Sequence, residues 1–208
     1  MSFKKKGLLV VVSGPSGAGK GTVCSELVKD ENKKLSVSAT TRSPRSGEID
    51  GVNYYFKSRK EFEEMISRGE FLEYARIYDN IYGTPKKEIF KQLEEGYDVI
   101  LEIEMQGAIQ VKKAYEEACL IFILPPSLDV LKNRLVGRGT ETQEQIEKRF
   151  NCALDEIKMI EEYDYFVFNN EISACAKEID MIIKAEKSKV FRYKNEVLDL
   201  FEKENEKC

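Results

Sequence analysis

The fold is decided by the stretch Gly14-Pro15-Ser16-Gly17-Ala18-Gly19-Lys20-Gly21-Thr22, which follows an apolar run over residues 8–12 and precedes a helical pattern that begins at Val23. The glycines let the backbone curl so that successive N–H groups point at one anion. The helix that follows adds the positive end of its dipole, and Lys20 adds a full charge. A strand, a glycine loop, a lysine and a helix in this order predict a site for the phosphates of a nucleoside triphosphate.

One position departs from the usual pattern of such loops. Gly21 stands where Ser or Thr is typical, and the first hydroxyl comes one place later, at Thr22. One step along a helix turns a side chain by about 100°, so Thr22 does not simply replace the missing hydroxyl. We therefore expect Mg²⁺ to be held mainly by the nucleotide phosphates and water, with Thr22, Glu102 and Glu104 as possible protein contributors.

Composition restricts the classes of protein that this chain can belong to. With 208 residues, 42% apolar and 34% charged, the chain is expected to fold as a soluble globular protein. The net charge of −4 argues against a general nucleic-acid binder, whose surface is normally basic. No apolar run approaches membrane-spanning length, and the basic N-terminus lacks the features of a signal peptide. We expect a cytoplasmic protein, either a monomer or a homodimer, that binds neither membranes nor nucleic acids.

The chain contains no histidine, which excludes a Ser-His-Asp triad, a histidine general base and histidine-ligated metals. Catalysis must therefore depend on carboxylates, Lys, Arg, backbone amides or a bound metal. The five cysteines form no C-x-x-C pair. Reduced or buried thiols are expected rather than a disulfide framework or a zinc cluster.

Strands alternate with helices along the chain. Apolar strands are predicted at 8–13, 33–41, 97–104, 119–124 and 165–168, and helices at 86–95, 105–117, 128–136, 142–161 and from 172 onward. A compact region between residues 54 and 84, with short aromatic strands and one helix, predicts a small inserted lobe. The fold class is therefore α/β, with a parallel sheet core of the P-loop NTPase type flanked by helices. Such sheets bind ligands at the carboxyl ends of their strands.

Acids and arginines supply the other charged groups that phosphate chemistry requires. Glu102 and Glu104 lie at the end of a predicted core strand, where they could orient Mg²⁺ directly or through water. Arg42 and Arg45 flank a proline-stiffened turn that could present two guanidinium groups to one phosphate.

Three further arginines lie around a glycine turn in the second half of the chain. Arg134 and Arg138 are four residues apart, and Arg149 follows on the next helical stretch. Arginines on a hinged segment can neutralise a transferring phosphoryl group once that segment closes.

Five segments carry a resemblance to a known family. They are Gly14-Pro15-Ser16-Gly17 with Lys20, Ser38-Ala39-Thr40-Thr41-Arg42-Ser43-Pro44-Arg45-Ser46-Gly47-Glu48, Tyr82-Gly83-Thr84, Leu101-Glu102-Ile103-Glu104-Met105-Gln106-Gly107 and Gly137-Arg138-Gly139-Thr140-Glu141. Together they closely resemble guanylate kinase, over about residues 8–186. The resemblance implies ATP-dependent phosphorylation of GMP to GDP with Mg²⁺, by a core (1–36, 87–129 and 157–208), a GMP-binding lobe (37–86) and a helical lid (130–156).

The resemblance also implies roles for individual residues. The stretch 14–22 would bind ATP, and the residues that would neutralise the transferring group are Lys20, Arg45, Arg134, Arg138 and Arg149. The residues that would bind GMP are Ser38, Arg42, Arg45, Tyr54, Glu73, Tyr82, Thr84 and Glu104. Among these, Glu73 and Thr84 would contact the guanine, and Glu104 either the guanine or metal-bound water.

Guanine recognition by Glu73 also has a physical rationale. Guanine presents a ring N–H and an exocyclic amine on one edge, and a fixed carboxylate can accept both. Adenine lacks that pair of donors, so it would leave the carboxylate unpaired, and such a site can discriminate by orders of magnitude.

Three alternatives remain at this point. A GTPase is disfavoured because the chain contains neither D-x-x-G nor N-K-x-D. A kinase for AMP or a pyrimidine monophosphate is disfavoured by the segment 42–48. A protein-interaction module that resembles guanylate kinase would not need the intact loop and Lys20.

Overall fold

The computed structural model describes residues 5–77, 79–136 and 143–205. In chain order, the strands are β1 (Leu9–Ser13), β2 (Lys33–Leu35), β3 (Ala39–Thr40), β4 (Tyr55–Phe56), β5 (Phe71–Ile77), β6 (Asn80–Pro85), β7 (Asp98–Glu102), β8 (Cys119–Leu124) and β9 (Tyr165–Phe168). The α-helices are α1 (Lys20–Leu27), α2 (Arg59–Ser67), α3 (Lys86–Glu95), α4 (Met105–Ala114), α5 (Leu128–Val136), α6 (Gln143–Ile157), α7 (Ile172–Glu186) and α8 (Lys194–Asn205). Two short 3-10 turns cover Lys158–Glu162 and Val190–Arg192.

The core is a five-stranded sheet in the order β2-β7-β1-β8-β9, and every pairing in it is parallel. A second, four-stranded sheet in the order β4-β3-β6-β5 lies between β2 and β7 in the sequence and mixes parallel and antiparallel pairs. The predicted α/β class, with a parallel core sheet and flanking helices, is confirmed.

Strand β1 occupies the centre of the core sheet because its side chains are apolar on both faces. Val10 and Val12 pack with helices α1 and α7 on one face. Leu9 and Val11 pack with α3 and α4 on the other. Each such side chain contributes roughly 1.5–3 kcal/mol when it is fully buried. This two-sided burial fixes the strand that leads into the glycine loop.

The single strand predicted over residues 33–41 is wrong. The chain instead forms β2 in the core sheet and β3 in the second sheet, with residues 36–38 between them. Ser36 N–H still donates to the Ile100 carbonyl at 2.9 Å, whereas the Ser38 carbonyl already accepts from Tyr55 N–H at 2.9 Å. The change of backbone partner takes the chain out of the core, and an apolar pattern alone does not reveal it.

The position of Glu104 also differs from the prediction. Strand β7 ends at Glu102, and Glu104 is the N-cap residue of α4, although its side chain makes no capping hydrogen bond. The two acids therefore lie on different elements. Across the described parts of the chain, no helix is both long and apolar enough to span a bilayer.

Candidate functional site

The loop between β1 and α1 has a backbone that only glycine tolerates at two key points. At Gly14, where φ is +147°, a Cβ atom would lie 2.2 Å from the Ile123 carbonyl oxygen of β8. Gly19 is the N-cap of α1 and is left-handed, with φ at +90°. Non-glycine residues are strained in that region. The glycine spacing is therefore set by contact with β8 and by the helix start.

Lys20 is the first residue of α1, and its side chain folds back over the loop. Its Nζ donates to the carbonyl oxygen of Gly14 at 2.6 Å and to that of Pro15 at 3.3 Å. Burial lowers the pKa of Lys20, and the nearby carboxylates of Glu156 and Glu102 oppose that shift. A partly desolvated ammonium beside the loop amides is a strong attractor for a phosphate.

Helix α6 lies against the loop. The backbone N–H of Ser16 donates to Glu156 Oε2 at 3.2 Å, and Arg149 Nη2 donates to Ser16 Oγ at 2.7 Å. Burial raises the pKa of Glu156. Sequence reasoning placed Arg149 here but missed Glu156, because an acid in a charged helix gives no local signal.

Arg134 on α5 reaches the other side of the loop. Its Nη1 donates to the Ala18 carbonyl at 3.4 Å and its Nη2 to the Asn169 carbonyl at 3.1 Å. Asn169 follows β9, is only 2% exposed, and donates from Nδ2 to the same Ala18 carbonyl at 2.8 Å. Sequence reasoning missed Asn169, although its place at the end of a parallel strand was a usable signal. Arg138 lies outside the described residues.

A cavity of about 940 Å³ opens between the two sheets and the end of α6. Six residues from the sequence prediction line it: Ser38, Tyr54, Glu73, Tyr82, Glu102 and Glu104. Gly107 of α4 and Asp155, Glu156 and Met159 from α6 and the turn after it also line the cavity and were not predicted. The structure therefore brings acids from both sheets to one crevice that adjoins Lys20.

Glu73 on β5 forms the buried wall of this cavity. It is 7% exposed and accepts a hydrogen bond from Thr84 Oγ1 on β6 at 2.6 Å. Burial raises the pKa of Glu73, and the hydrogen bond from Thr84 opposes that shift. A Cβ atom on Gly107 would lie 2.9 Å from Glu73 Oε2, so the carboxylate packs directly onto the first turn of α4.

Arg42 is held by an acid that sequence reasoning did not assign. Its Nη1 and Nη2 donate to Glu48 Oε2 and Oε1 at 3.0 and 2.8 Å, and its guanidinium lies 5.4 Å from the centre of the Tyr54 ring. The Arg42 guanidinium, together with the Arg45 backbone N–H, lowers the pKa of Glu48 to about 2. Arg45 itself is exposed, and neither arginine lines the cavity.

The three candidate metal contacts lie on different elements. Thr22 on α1, Glu102 at the end of β7 and Glu104 at the start of α4 are all exposed. Glu102 lies beside the loop, since a Cβ atom on Gly21 would be 3.3 Å from its Oε1. Partial desolvation raises the pKa of Glu102, with Lys20 opposing the shift. Within residues 5–77, 79–136 and 143–205, no group of three acidic or cysteine side chains forms a metal cage.

Comparison with known proteins identifies the family. The guanylate kinase model matches residues 6–186. The guanylate kinase of Clostridioides difficile (strain 630) is 65% identical over 203 residues, which are 97% of this chain and 99% of that protein. The guanylate kinase of Caldanaerobacter subterraneus subsp. tengcongensis is 53% identical over 203 residues, which are 97% of this chain and 98% of that protein. A crystal structure of guanylate kinase from Anaplasma phagocytophilum matches with a TM-score of 0.72 and 35% identity over 92% of each chain. The chain belongs to the guanylate kinase family.

Proposed function

We propose that the chain transfers the γ-phosphoryl group of ATP to GMP, giving ADP and GDP, by direct in-line displacement. One observation carries this proposal: the cavity lined by the buried Glu73 carboxylate is also lined by Glu102, Glu104 and Glu156, whose charges act on Lys20 of the loop. In this proposal, residues 37–86 act as the GMP-binding lobe and residues 130–156 as the lid. The core is made of residues 1–36, 87–129 and 157–208.

The loop residues 14–22 bind the phosphates of ATP. Lys20 exchanges the carbonyl oxygens that it now contacts for phosphate oxygens, and the loop N–H groups add further donors. Glu156 accepts from Ser16 N–H, so a phosphate that takes this donor would displace the Glu156 carboxylate from it. Arg134 and Arg149 are already in contact with the loop and can neutralise charge on the transferring group. Arg45 and Arg138 are proposed to join them when lobe and lid close.

The GMP site is divided between a phosphate end and a base end. Arg42 and Arg45, with Ser38, Tyr54 and Tyr82, bind the phosphate, because guanidinium groups and hydroxyls supply matched donors. Glu73 accepts the ring N–H and the exocyclic amine of guanine, and Thr84 holds Glu73 in place. Glu104, at the rim of the cavity, contacts guanine or a metal-bound water.

Mg²⁺ fits the donor set near Gly21. This ion commonly retains several waters and takes only one or two carboxylates in addition to substrate phosphates. Glu102 would supply one such carboxylate beside the loop, and Thr22 and Glu104 are the further candidates. Mg²⁺ held there would supply positive charge that offsets the charge of the phosphates.

The proposed reaction needs no proton-accepting side chain. The acceptor is a phosphate oxygen that is already ionised near neutral pH, so no general base is required. This agrees with the absence of histidine from the chain. The residues therefore act by positioning and by electrostatic stabilisation.

The proposal is tested by measuring ADP release with ATP and GMP, AMP, UMP or CMP in parallel. We expect a rate with GMP that exceeds the others by orders of magnitude, because only guanine presents the donor pair that Glu73 accepts. Similar rates with AMP, or no turnover with GMP, would refute the assignment. An inactive protein that still binds GMP would instead favour an interaction module.

We also propose that the enzyme is cytoplasmic and acts as a monomer or homodimer on free nucleotides. Its net charge of −4 is consistent with small-molecule substrates rather than nucleic acid. Light scattering coupled to size-exclusion chromatography distinguishes the two oligomeric states.

A further inference from the structure

Gln110 of α4 makes two hydrogen bonds to the backbone of Tyr74, the residue that follows Glu73. Tyr74 N–H donates to Gln110 Oε1 at 3.2 Å, and Gln110 Nε2 donates to the Tyr74 carbonyl at 3.3 Å. A side-chain amide carries both a donor and an acceptor, so it can pair with a strand backbone as a neighbouring strand would. Gln110 therefore holds β5 to α4 at the position next to the guanine-binding carboxylate.

The backbone around Glu73 needs such support. Strand β5 is at the edge of its sheet, and its register with β6 shifts between Phe71 and Glu73. A register shift of this kind disrupts the ladder locally and bends the strand. The hydrogen bonds from Gln110 reach β5 on the side opposite β6, one residue beyond the irregularity. They replace the strand partner that an edge strand lacks.

The same helix also limits where the Glu73 carboxylate can lie. Gly107 and Gln110 are three residues apart on α4, so they lie on one face of the helix. A Cβ atom at Gly107 would be 2.9 Å from Glu73 Oε2. Gln110 thus fixes the distance between the β5 backbone and α4. Gly107 provides the space that the Glu73 carboxylate occupies at that distance.

We propose that Gln110 is a positioning residue for guanine selection: it fixes the backbone of β5 so that both carboxylate oxygens of Glu73 face the base. This proposal rests on the proposed role of Glu73. Gln110 acts through Glu73 and does not contact the substrate.

A comparison of GMP with IMP as substrates tests whether Gln110 affects guanine selection. Hypoxanthine, the base of IMP, has the same ring N–H as guanine but lacks the exocyclic amine. The ratio of kcat/KM for GMP to that for IMP therefore reports the second hydrogen bond alone. A displaced β5 would weaken the two-point contact with guanine more than the one-point contact with hypoxanthine, so the ratio would fall.

The test compares this ratio in the intact enzyme and in Gln110→Ala, Gln110→Glu, Glu73→Gln and Gln92→Ala. Gln110→Glu keeps the acceptor for Tyr74 N–H but loses the donor to the Tyr74 carbonyl. Gln92→Ala is the matched control, because Gln92 lies on α3 and donates to Glu88 of the same helix at 3.1 Å. Thermal unfolding of each variant is measured in parallel to separate selectivity from stability.

We expect the ratio to fall about 5–10-fold in Gln110→Ala, the worth of about one hydrogen bond, and to fall at least as far in Gln110→Glu, because a carboxylate oxygen then faces the Tyr74 carbonyl oxygen. Gln92→Ala should retain the ratio. If Gln110→Ala keeps the ratio within about two-fold while Glu73→Gln loses it, Gln110 is only structural and the inference is overturned. If Glu73→Gln also keeps the ratio, the proposed guanine contact itself fails, and the positioning role fails with it.

Discussion

The phosphate loop and the guanine-binding wall are built in opposite ways. The loop is one continuous segment, residues 14–22, and its main binding groups are backbone N–H donors shaped by glycines. The wall takes Glu73 from β5, Thr84 from β6 and Gly107 from α4, and its binding group is one side chain. The loop depends on local geometry, whereas the wall depends on the relative placement of two strands of the second sheet and a helix.

This difference determines how each region responds to substitution. A side chain added at Gly14 collides with the Ile123 carbonyl, 2.2 Å from the Cβ position, and one added at Gly17 or Gly19 is strained because φ there is +90°. A side chain added at Gly107 meets the flexible end of Glu73 instead. Substitutions in the loop should therefore disturb its folding. Substitutions in the wall should weaken base recognition and leave the fold intact.

The largest effect is expected for Lys20→Ala. Removing the ammonium deletes the charged donor to the ATP phosphates, and loss of one such group typically costs about 10²–10³-fold in kcat. GMP affinity, measured by calorimetry without ATP, should remain within about two-fold of the intact enzyme.

Lys29→Ala serves as the control for Lys20→Ala. Lys29 lies just after the same helix and pairs with Glu26 on the surface, where an ion pair contributes little. Its kcat should be unchanged. A matching loss of GMP affinity in Lys20→Ala would show that the two regions are not separable in the way that we describe.

Gly107→Ala should produce an intermediate effect, confined to base recognition. Alanine is favoured over glycine inside a helix by roughly 0.5–1 kcal/mol, so the fold should not suffer. The new methyl group displaces the Glu73 carboxylate, and we expect kcat/KM for GMP to fall by about 10-fold, as for a lost hydrogen bond to a charged group. The rate with IMP should fall less.

Gly69→Ala is the converse control for Gly107→Ala. Gly69 has φ at +67° with nothing within 4 Å of an added Cβ, so alanine there is strained without touching the site. It should lower Tm and leave the GMP to IMP ratio unchanged. If Gly107→Ala behaves in the same way, the space at Gly107 serves packing and not recognition.

The contrast between the two regions also explains what could be predicted from the sequence. The loop was predictable because its spacing is local and Gly14, Gly17 and Gly19 all have positive φ. Glu73 could be named only through the family resemblance, since its alternating strand fits a solvent-facing acid equally well. The structure shows it 7% exposed, because α4 covers that face of β5.

Other parts of the site had no readable local signal. Glu48 lies within the quoted segment, yet its bidentate contact with Arg42 depends on how the turn folds. Glu156 is one acid among many on a charged helix, and only the docking of α6 brings it to Ser16 N–H. The division of residues 33–41 between two sheets likewise depends on pairing with distant strands.

A smaller effect is expected from pH. Burial raises the pKa of Glu73, so this carboxyl takes up its proton at a pH above the usual range of about 4–4.5. Once protonated, it accepts fewer hydrogen bonds, so the GMP to IMP ratio should fall as pH decreases toward that raised pKa. Because both nucleotides carry the same phosphate, titration of the substrate largely cancels in the ratio. Glu73→Gln should give a ratio that does not vary with pH.

The smallest effect is expected on the stability of the enzyme without nucleotide. A carboxyl whose pKa is higher in the folded state than in the unfolded state binds its proton more tightly when folded, so stability rises as pH falls through the raised pKa. At neutral pH the buried charge instead costs stability, and Glu73→Gln removes it while keeping an acceptor for Thr84. We expect Glu73→Gln to raise Tm by about 1–3 °C at neutral pH. The difference in Tm between this variant and the intact enzyme should become smaller at acidic pH. A lower Tm of Glu73→Gln at neutral pH would mean that the ionised carboxylate stabilises the fold, and it would contradict the inference that this buried charge destabilises the enzyme.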